Sequence, residues 1–156
     1  MTSTASPLSL DGLLVVDKPI GPTSHDVVAR LRRTLQQRRI GHTGTLDPIA
    51  SGVLPLVIGR ATRLAQFLSG AVKAYEATVR LGVATDTCDR TGIARTPPHA
   101  GPMPDRPAIE RALDEFRGTF QQWPPAYSAK KIDGTPSHRL ARAAGGASDA
   151  PQPAPA

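Results

Sequence analysis

The chain has 156 residues and is 39% apolar, which suits one folded domain and excludes a wholly disordered or fibrous protein. No apolar run approaches the roughly 18 residues that span a bilayer, and the N-terminus lacks the charged start and apolar stretch of a signal peptide. We therefore expect a soluble, cytoplasmic protein. The single cysteine, Cys88, cannot form an internal disulfide or a CxxC zinc site.

The net charge of +6 is concentrated in one part of the chain. Residues 27–75 contain eight Lys and Arg side chains and a single acid, Asp47, so this basic segment alone carries +7. A polyanionic partner is the expectation from such a segment. The lone carboxylate within it is the feature that needs an explanation.

The first predicted elements are a strand and a helix. Residues 12–17 (GLLVVD) form an aliphatic run that predicts a buried strand, closed by a turn at Lys18-Pro19. Thr23 followed by Asp26 at the third position along indicates a capping box. Apolar residues then recur at helical spacing, which predicts a helix over 24–37.

Glycine, proline and small hydroxyl residues fill 40–52 and predict a structured loop rather than a regular element. A strand is predicted over 53–58 and a helix over 61–68. Residues 74–81 alternate between apolar and polar side chains, which predicts a strand with one wet face.

Five prolines in 94–107 predict a loop or insertion, followed by a helix capped by Asp105 and stopped by Gly118. A turn is expected at Asp133-Gly134. The interleaved elements favour an α+β fold with a mixed, largely antiparallel sheet. We expect three segments along the chain: a disordered N-terminus (1–11), one folded domain (12–142) and a disordered Ala/Pro/Gly-rich tail (143–156).

Signatures of several other chemistries are incomplete. The chain has no GxxxxGK[ST] phosphate loop, no GxGxxG and no HExxH. Residues 128–131 fit the SxxK tetrad of penicillin-binding enzymes without its companion motifs. The acids of TDTCD (85–89) lack the glycine and the closing Glu of a calcium loop.

The loop GHTGTLDP (41–48) fits one physical task. Gly41 and Gly44 allow a ligand to approach closely, and Pro48 fixes the chain just after the carboxylate. The surrounding cations favour the charged form of Asp47, which suits a nucleophile or a general base. The alternative is that Asp47 caps a turn or a helix.

The chain contains, in order, GLLVVDKP (12–19), Gly21, Thr23-Ser24, GHTGTLDPIASGVLP (41–55), GRAT (59–62), KAY (73–75), Leu81-Gly82, TDT (85–87), Asp89, Gly92, PAYSAK (125–130), Gly134 and Ala141-Arg142. Together these stretches closely resemble TruB-type tRNA pseudouridine synthases. The resemblance covers residues 12–142. It implies isomerisation of uridine 55 in the TΨC loop of tRNA to pseudouridine, with no metal or organic cofactor.

The resemblance also implies roles for individual residues. Asp47 is the catalytic carboxylate, which attacks the sugar C1′ or the base, both routes remaining open. Tyr75 stacks on the flipped base and assists proton removal from the sugar. His42 and Lys18 are RNA-binding candidates, of which His42 packs in the RNA-loop site and Lys18 with Pro19 supports the active-site loop.

The remaining RNA-binding candidates are arginines expected to meet phosphates: Arg30, Arg33, Arg38, Arg39 and Arg60. Arg30 and Arg33 share the polar face of the first helix, where an ordinary solvated face is the alternative. The expected partner is the TΨC stem-loop of tRNA. No membrane or obligatory protein partner is evident, and a monomer is expected.

Chains of the TruB type continue beyond the position of Arg142 into a segment that supplies an arginine partner for the aspartate. We therefore expect this chain to be the N-terminal part of a catalytic domain. A second hypothesis follows from it, namely a non-catalytic RNA-binding fragment or an inactive remnant. Guide-RNA-dependent, dyskerin-like relatives share the aspartate loop, but this chain has no lysine-rich extension.

Overall fold

A computed structural model describes residues 9–128 and 130–145, and they form two compact units that meet in sequence at Tyr75 and Glu76. Helices and short antiparallel sheets make up both units, which confirms the predicted α+β class. The predicted disordered ends lie mostly outside the described residues. No helix in the described ranges is long and apolar enough to cross a membrane.

The first unit is built on a three-stranded antiparallel sheet of order β1-β3-β2. Its strands are β1 (Gly12–Lys18), β2 (Ile40–His42) and β3 (Gly52–Ile58). The predicted strands at 12–17 and 53–58 are confirmed. The prediction of a loop over 40–52 is wrong at its start, because the buried side chain of Ile40 anchors a short strand opposite Ile58.

Helix α1 (Ser24–Thr34) begins with the predicted capping box. Thr23 Oγ1 accepts the N–H of Asp26 at 3.0 Å, and the Asp26 carboxylate accepts the N–H of Thr23 at 2.9 Å. The helix ends at Thr34, before the predicted position, because Gln36 adopts a left-handed backbone with φ of 49°. The N–H of Gln37 then returns to the carbonyl of Arg32, a helix ending that usually employs glycine.

The two faces of the sheet have different environments. One face packs against α1 and forms the core of the unit, with Val28, Ile40, Leu54, Leu56 and Ile58 buried. The other face, called here the open sheet face, exposes Leu13, Val15 and Val53, and the exposed fraction of Val15 is 58%. The prediction that strand 12–17 is buried is wrong, because Gly12 and Val16 are only half-buried and the other four residues of the run are exposed.

After β3 the chain forms a 3-10 helix (Gly59–Leu64) and a short α2 (Ala65–Ser69), where a single helix was predicted over 61–68. The carboxylate of Asp11 accepts the backbone N–H of Arg60, which fastens the start of this turn to the beginning of β1. Gln37 makes two hydrogen bonds with the backbone of Leu10. The two residues immediately before β1, Leu10 and Asp11, are thus held by hydrogen bonds to Gln37 and Arg60.

The predicted strand over 74–81 is wrong. No strand in the described part of the chain pairs with this segment, and Tyr75 and Val79 expose 67% and 76% of their surface. An alternating sequence supplies a wet face and a dry face, but a strand also needs a neighbour for its backbone hydrogen bonds. The division between the two units falls inside the segment.

The second unit contains α3 (Arg106–Asp114), β4 (Lys131–Ile132), β5 (Thr135–Pro136) and α4 (Ser137–Ala143). Asp105 caps α3 as predicted, accepting the N–H of Ala108 at 2.9 Å. The predicted turn at Asp133-Gly134 joins β4 to β5, with positive φ at both residues as in a type I′ hairpin. Helix α4 was not predicted. Its first residue, Ser137, is buried and donates to the carbonyl of Ala126 at 2.7 Å.

Candidate active site

Asp47 lies in the loop between β2 and β3, and its side chain is exposed. The backbone is held on both sides of it. Gly21 donates its N–H to the carbonyl of Pro48 at 2.8 Å, and Ser24 is hydrogen-bonded to the backbone of Leu46. The N–H of Ala50 closes a turn onto the carbonyl of Asp47 at 3.0 Å.

The carboxylate of Asp47 makes no hydrogen bond and no ion pair with any residue that the structure describes. The alternative that its side chain caps a turn or a helix is therefore not seen here. A fixed backbone with an open carboxylate is an arrangement suited to meeting a substrate.

Lys18, at the end of β1, is fully buried. Its ammonium donates to the carbonyl of Pro19 at 2.9 Å and to that of Pro22 at 2.8 Å. Lys18 thus ties together residues 19–22, the loop from which Gly21 reaches Pro48. A place for Lys18 among the RNA-binding residues does not fit this burial, whereas the expected support of the active-site loop does.

The five candidate arginines are all exposed: Arg30, Arg33, Arg38, Arg39 and Arg60. Two of them are oriented by neighbours. Arg39 donates from Nε to the hydroxyl of Thr62 at 2.9 Å, and Arg60 pairs with the carboxylate of Asp11 at 2.6 Å. The backbone N–H of Arg60 and then its guanidinium lower the pKa of Asp11 below its ordinary 3.8. Most of the Arg60 side chain remains open to solvent.

Arg30 and Arg33 border a groove of about 470 Å³ between α1 and the sheet. Its floor is apolar and includes Val16, Leu31 and Leu56. Asp47, His42 and Tyr75 do not line it. The structure therefore places this arginine pair beside a separate surface feature and does not bring it into one cavity with the aspartate.

His42 and Tyr75 differ in their surroundings. His42 is half-buried in β2, and its Nδ1 is buried without a hydrogen-bond partner among the described residues. Tyr75 presents an exposed ring at the end of the first unit. Two residues earlier, the side chain of Lys73 packs beside Gly44, and its ammonium donates to the carbonyls of Ser69 and Ala71. Lys73 thus brings the segment leading to Tyr75 against the Asp47 loop.

Gly21 and Ser24 hold the backbone around Asp47, a role that was not recognised in the sequence. There both residues were named only as parts of the motifs that carry the resemblance. Gly21 has φ of 114°, a backbone conformation that favours glycine. Ser24 follows the capping Thr23, and its sequence position indicates only the first residue of a helix. No local signal indicates that its hydroxyl reaches a loop 22 residues away.

A family model described as "TruB family pseudouridylate synthase (N terminal domain)" matches residues 32–153. The tRNA pseudouridine synthase B of Solibacter usitatus is 53% identical over 133 residues, which cover 85% of this chain and 45% of that protein. The enzyme of the same name from Geobacter sulfurreducens is 49% identical over 135 residues, covering 85% and 43%. The chain thus spans about half the length of the curated relatives it matches.

Among solved structures, a Cbf5-Nop10-Gar1 complex contains a chain that is 31% identical, with a TM-score of 0.49. The match covers 77% of this chain and 31% of that one.

Proposed function

Because the chain belongs to the TruB family of pseudouridylate synthases, we propose that it acts on tRNA and isomerises uridine 55 of the TΨC loop to pseudouridine. The observation that carries this proposal is the exposed carboxylate of Asp47, whose backbone is held on both sides within the basic segment. A cytoplasmic monomer that needs no cofactor is part of the same proposal.

The reaction is an isomerisation, so every atom of the substrate is retained. The bond between C1′ and N1 of the uracil breaks, a bond between C1′ and C5 forms, the proton on C5 leaves, and N1 gains a proton. Asp47 labilises the first bond by attack on C1′ or on the base. Once detached, the uracil must rotate before it rejoins, which requires a base already out of the stack.

Tyr75 supports this step with an exposed ring, a surface on which a flipped base can stack. We assign it that contact and the removal of a proton from the sugar. His42 packs against the RNA loop. Lys18 acts without touching RNA, by holding the loop that reaches Pro48.

The exposed arginines supply the phosphate contacts of the TΨC stem-loop: Arg30, Arg33, Arg38, Arg39 and Arg60. Guanidinium groups suit this task because their donors match phosphate oxygens in pairs. Binding should weaken as salt rises, since each neutralised phosphate releases counterions.

The test is pseudouridine formation on a tRNA transcript by the 156-residue chain. Product from the wild-type chain that disappears in Asp47→Asn, with RNA binding retained, is the expected result. The matched control is Asp114→Asn, an exposed acid in the second unit that pairs with Arg117 on the protein surface. Activity retained by Asp47→Asn, or lost equally in the control, would refute the role of Asp47.

A second candidate function is RNA binding without catalysis. The observation that favours it is the absence of any cation paired with Asp47 among the described residues, where the resemblance implies an arginine partner. Without such a partner the carboxylate loses charge pairing and orientation. A wild-type chain that binds the stem-loop and forms no product would establish this alternative.

A further inference from the structure

Ser24 makes an unusual contact for the first residue of a helix. It is 2% exposed, and its hydroxyl lies against the backbone of Leu46, 22 residues away. Oγ accepts the N–H of Leu46 at 2.8 Å and donates to the carbonyl of the same residue at 3.1 Å. One side chain therefore satisfies both backbone groups of the residue that precedes Asp47.

This contact gives a loop residue the pair of backbone hydrogen bonds that a strand residue obtains from its neighbour. In an antiparallel sheet, a residue in a hydrogen-bonded pair exchanges its N–H and its C=O with the residue opposite. Leu46 lies in the loop that connects β2 to β3, outside the sheet ladder, so no strand offers it backbone partners. The Ser24 hydroxyl can serve as donor and acceptor at once, so it supplies both halves of such a pair.

The side chain of Leu46 adds a second constraint, because it packs against the core cluster of the first unit. Beyond the aspartate, Pro48 has a restricted φ, and its carbonyl is held by Gly21. The freedom left to Asp47 is thus confined to its own torsions. The backbone on either side of Asp47 is thus held, while its carboxylate stays open to a substrate.

We propose that Ser24 is a positioning residue for Asp47, acting through the backbone of Leu46. The proposal rests on the catalytic role proposed above for Asp47. Ser24 touches neither substrate nor the reacting atoms. Its loss leaves two backbone groups of Leu46 without their partner and lets the loop drift, and a displacement of about 1 Å can cost on the order of a hundredfold in rate.

The experiment compares Ser24→Ala with Ser137→Ala. Ser137 is a matched control because it is also buried, also begins a helix, and also donates its hydroxyl to a backbone carbonyl, that of Ala126 in the second unit. Two quantities are measured in the full chain. The first is the exchange rate of the Leu46 amide hydrogen, and the second is kcat for pseudouridine formation together with Kd for a TΨC stem-loop RNA.

In Ser24→Ala we expect the Leu46 amide to exchange at least about tenfold faster while the amides of β3 are unchanged. We expect kcat to fall by about tenfold or more and Kd to stay within about twofold of wild type. Ser137→Ala should alter neither quantity. A purely structural role for Ser24 would not separate kcat from Kd in this way.

Unchanged exchange at Leu46 would overturn the proposal, as would a loss of kcat no larger than in Ser137→Ala or a loss confined to Kd. If the wild-type chain forms no product, the proposed function fails in this chain and the exchange rate alone decides. Faster exchange at Leu46 then supports the contact with Ser24, and unchanged exchange rejects it.

Discussion

Gly21 and Pro48 join two loops of the first unit through one backbone hydrogen bond, 2.8 Å long, from the N–H of Gly21 to the carbonyl of Pro48. The bond depends on a glycine conformation, since the φ of Gly21 is 114°. It links the turn fastened by Lys18 to the loop that carries Asp47. Substitution of Gly21 should therefore change the position of the loop that carries Asp47.

We expect Gly21→Ala to lower the free energy of unfolding by about 1–3 kcal/mol, because a Cβ strains this backbone conformation. The control is Gly70→Ala, since Gly70 has φ of −81° and open space where a Cβ would lie. There the change should be neutral or slightly stabilising. Urea unfolding of both variants provides the measurement, and equal stabilities would argue against strain at Gly21.

The double variant Arg38→Ala, Arg39→Ala tests the phosphate contacts. If each guanidinium neutralises one phosphate, the slope of log Kd for stem-loop RNA against log salt should decrease by about 1 per arginine. The control pair is Arg106→Ala, Arg111→Ala, two exposed arginines of α3 in the second unit. A slope that is the same in wild type and in the Arg38/Arg39 variant would remove these residues from the RNA site.

The variant Lys18→Met distinguishes a role of Lys18 in holding the loop 19–22 from direct binding of RNA by its ammonium. Methionine keeps much of the buried stem but loses the two hydrogen bonds to the carbonyls of Pro19 and Pro22, each worth about 1.5–3 kcal/mol. Part of that loss is offset because the variant no longer buries a charge. We expect a lower Tm, a lower kcat and an unchanged salt slope. A reduced slope, measured as for the arginines, would mean that the ammonium does reach phosphate.

The capping box of α1 predicts a pH dependence. The hydroxyl of Thr23 and then its backbone N–H lower the pKa of Asp26 below 3.8. A lowered pKa in the folded state means that the carboxylate contributes stability above pH 3.8, which is lost as the pH falls through the folded value. Asp26→Asn should therefore show a smaller loss of Tm than wild type when the pH is lowered from about 6 to about 3.

The control for this measurement is Glu115→Gln, because the Glu115 side chain is exposed and makes no hydrogen bond with the described residues. Its Tm should follow the wild-type curve across the same pH range. If Asp26→Asn also follows that curve, the capping box contributes nothing through its charge.

The parts of the fold that could be predicted from sequence are those determined by a few residues close together in the chain. The capping box at Thr23, the cap at Asp105 and the turn at Asp133-Gly134 each depend on side chains or backbone angles within one turn. Strand 53–58 was recognisable because a run of apolar residues between breakers suits a buried strand.

The errors arose where an element depends on a distant partner. Residues 74–81 have the pattern of a strand but no strand to pair with in the described part of the chain. Ile40 pairs with Ile58, although the glycine-rich sequence after it predicts a loop. The same holds at the site. Asp47 could be proposed from its loop, but the burial of Lys18 and the hydrogen bonds of Ser24 to Leu46 result from tertiary packing.

Neighbouring positions of β1 should differ sharply in the substitutions they accept. Val15 points to the open sheet face, whereas Val16 packs against the core. Replacing Val15 by threonine therefore removes little buried apolar surface, while the same change at Val16 places a hydroxyl group against the core. A mutational scan along the strand should show tolerance at every second residue. Val15 and Val53 are accordingly the positions at which solubility can be engineered without disturbing the loop that holds Asp47.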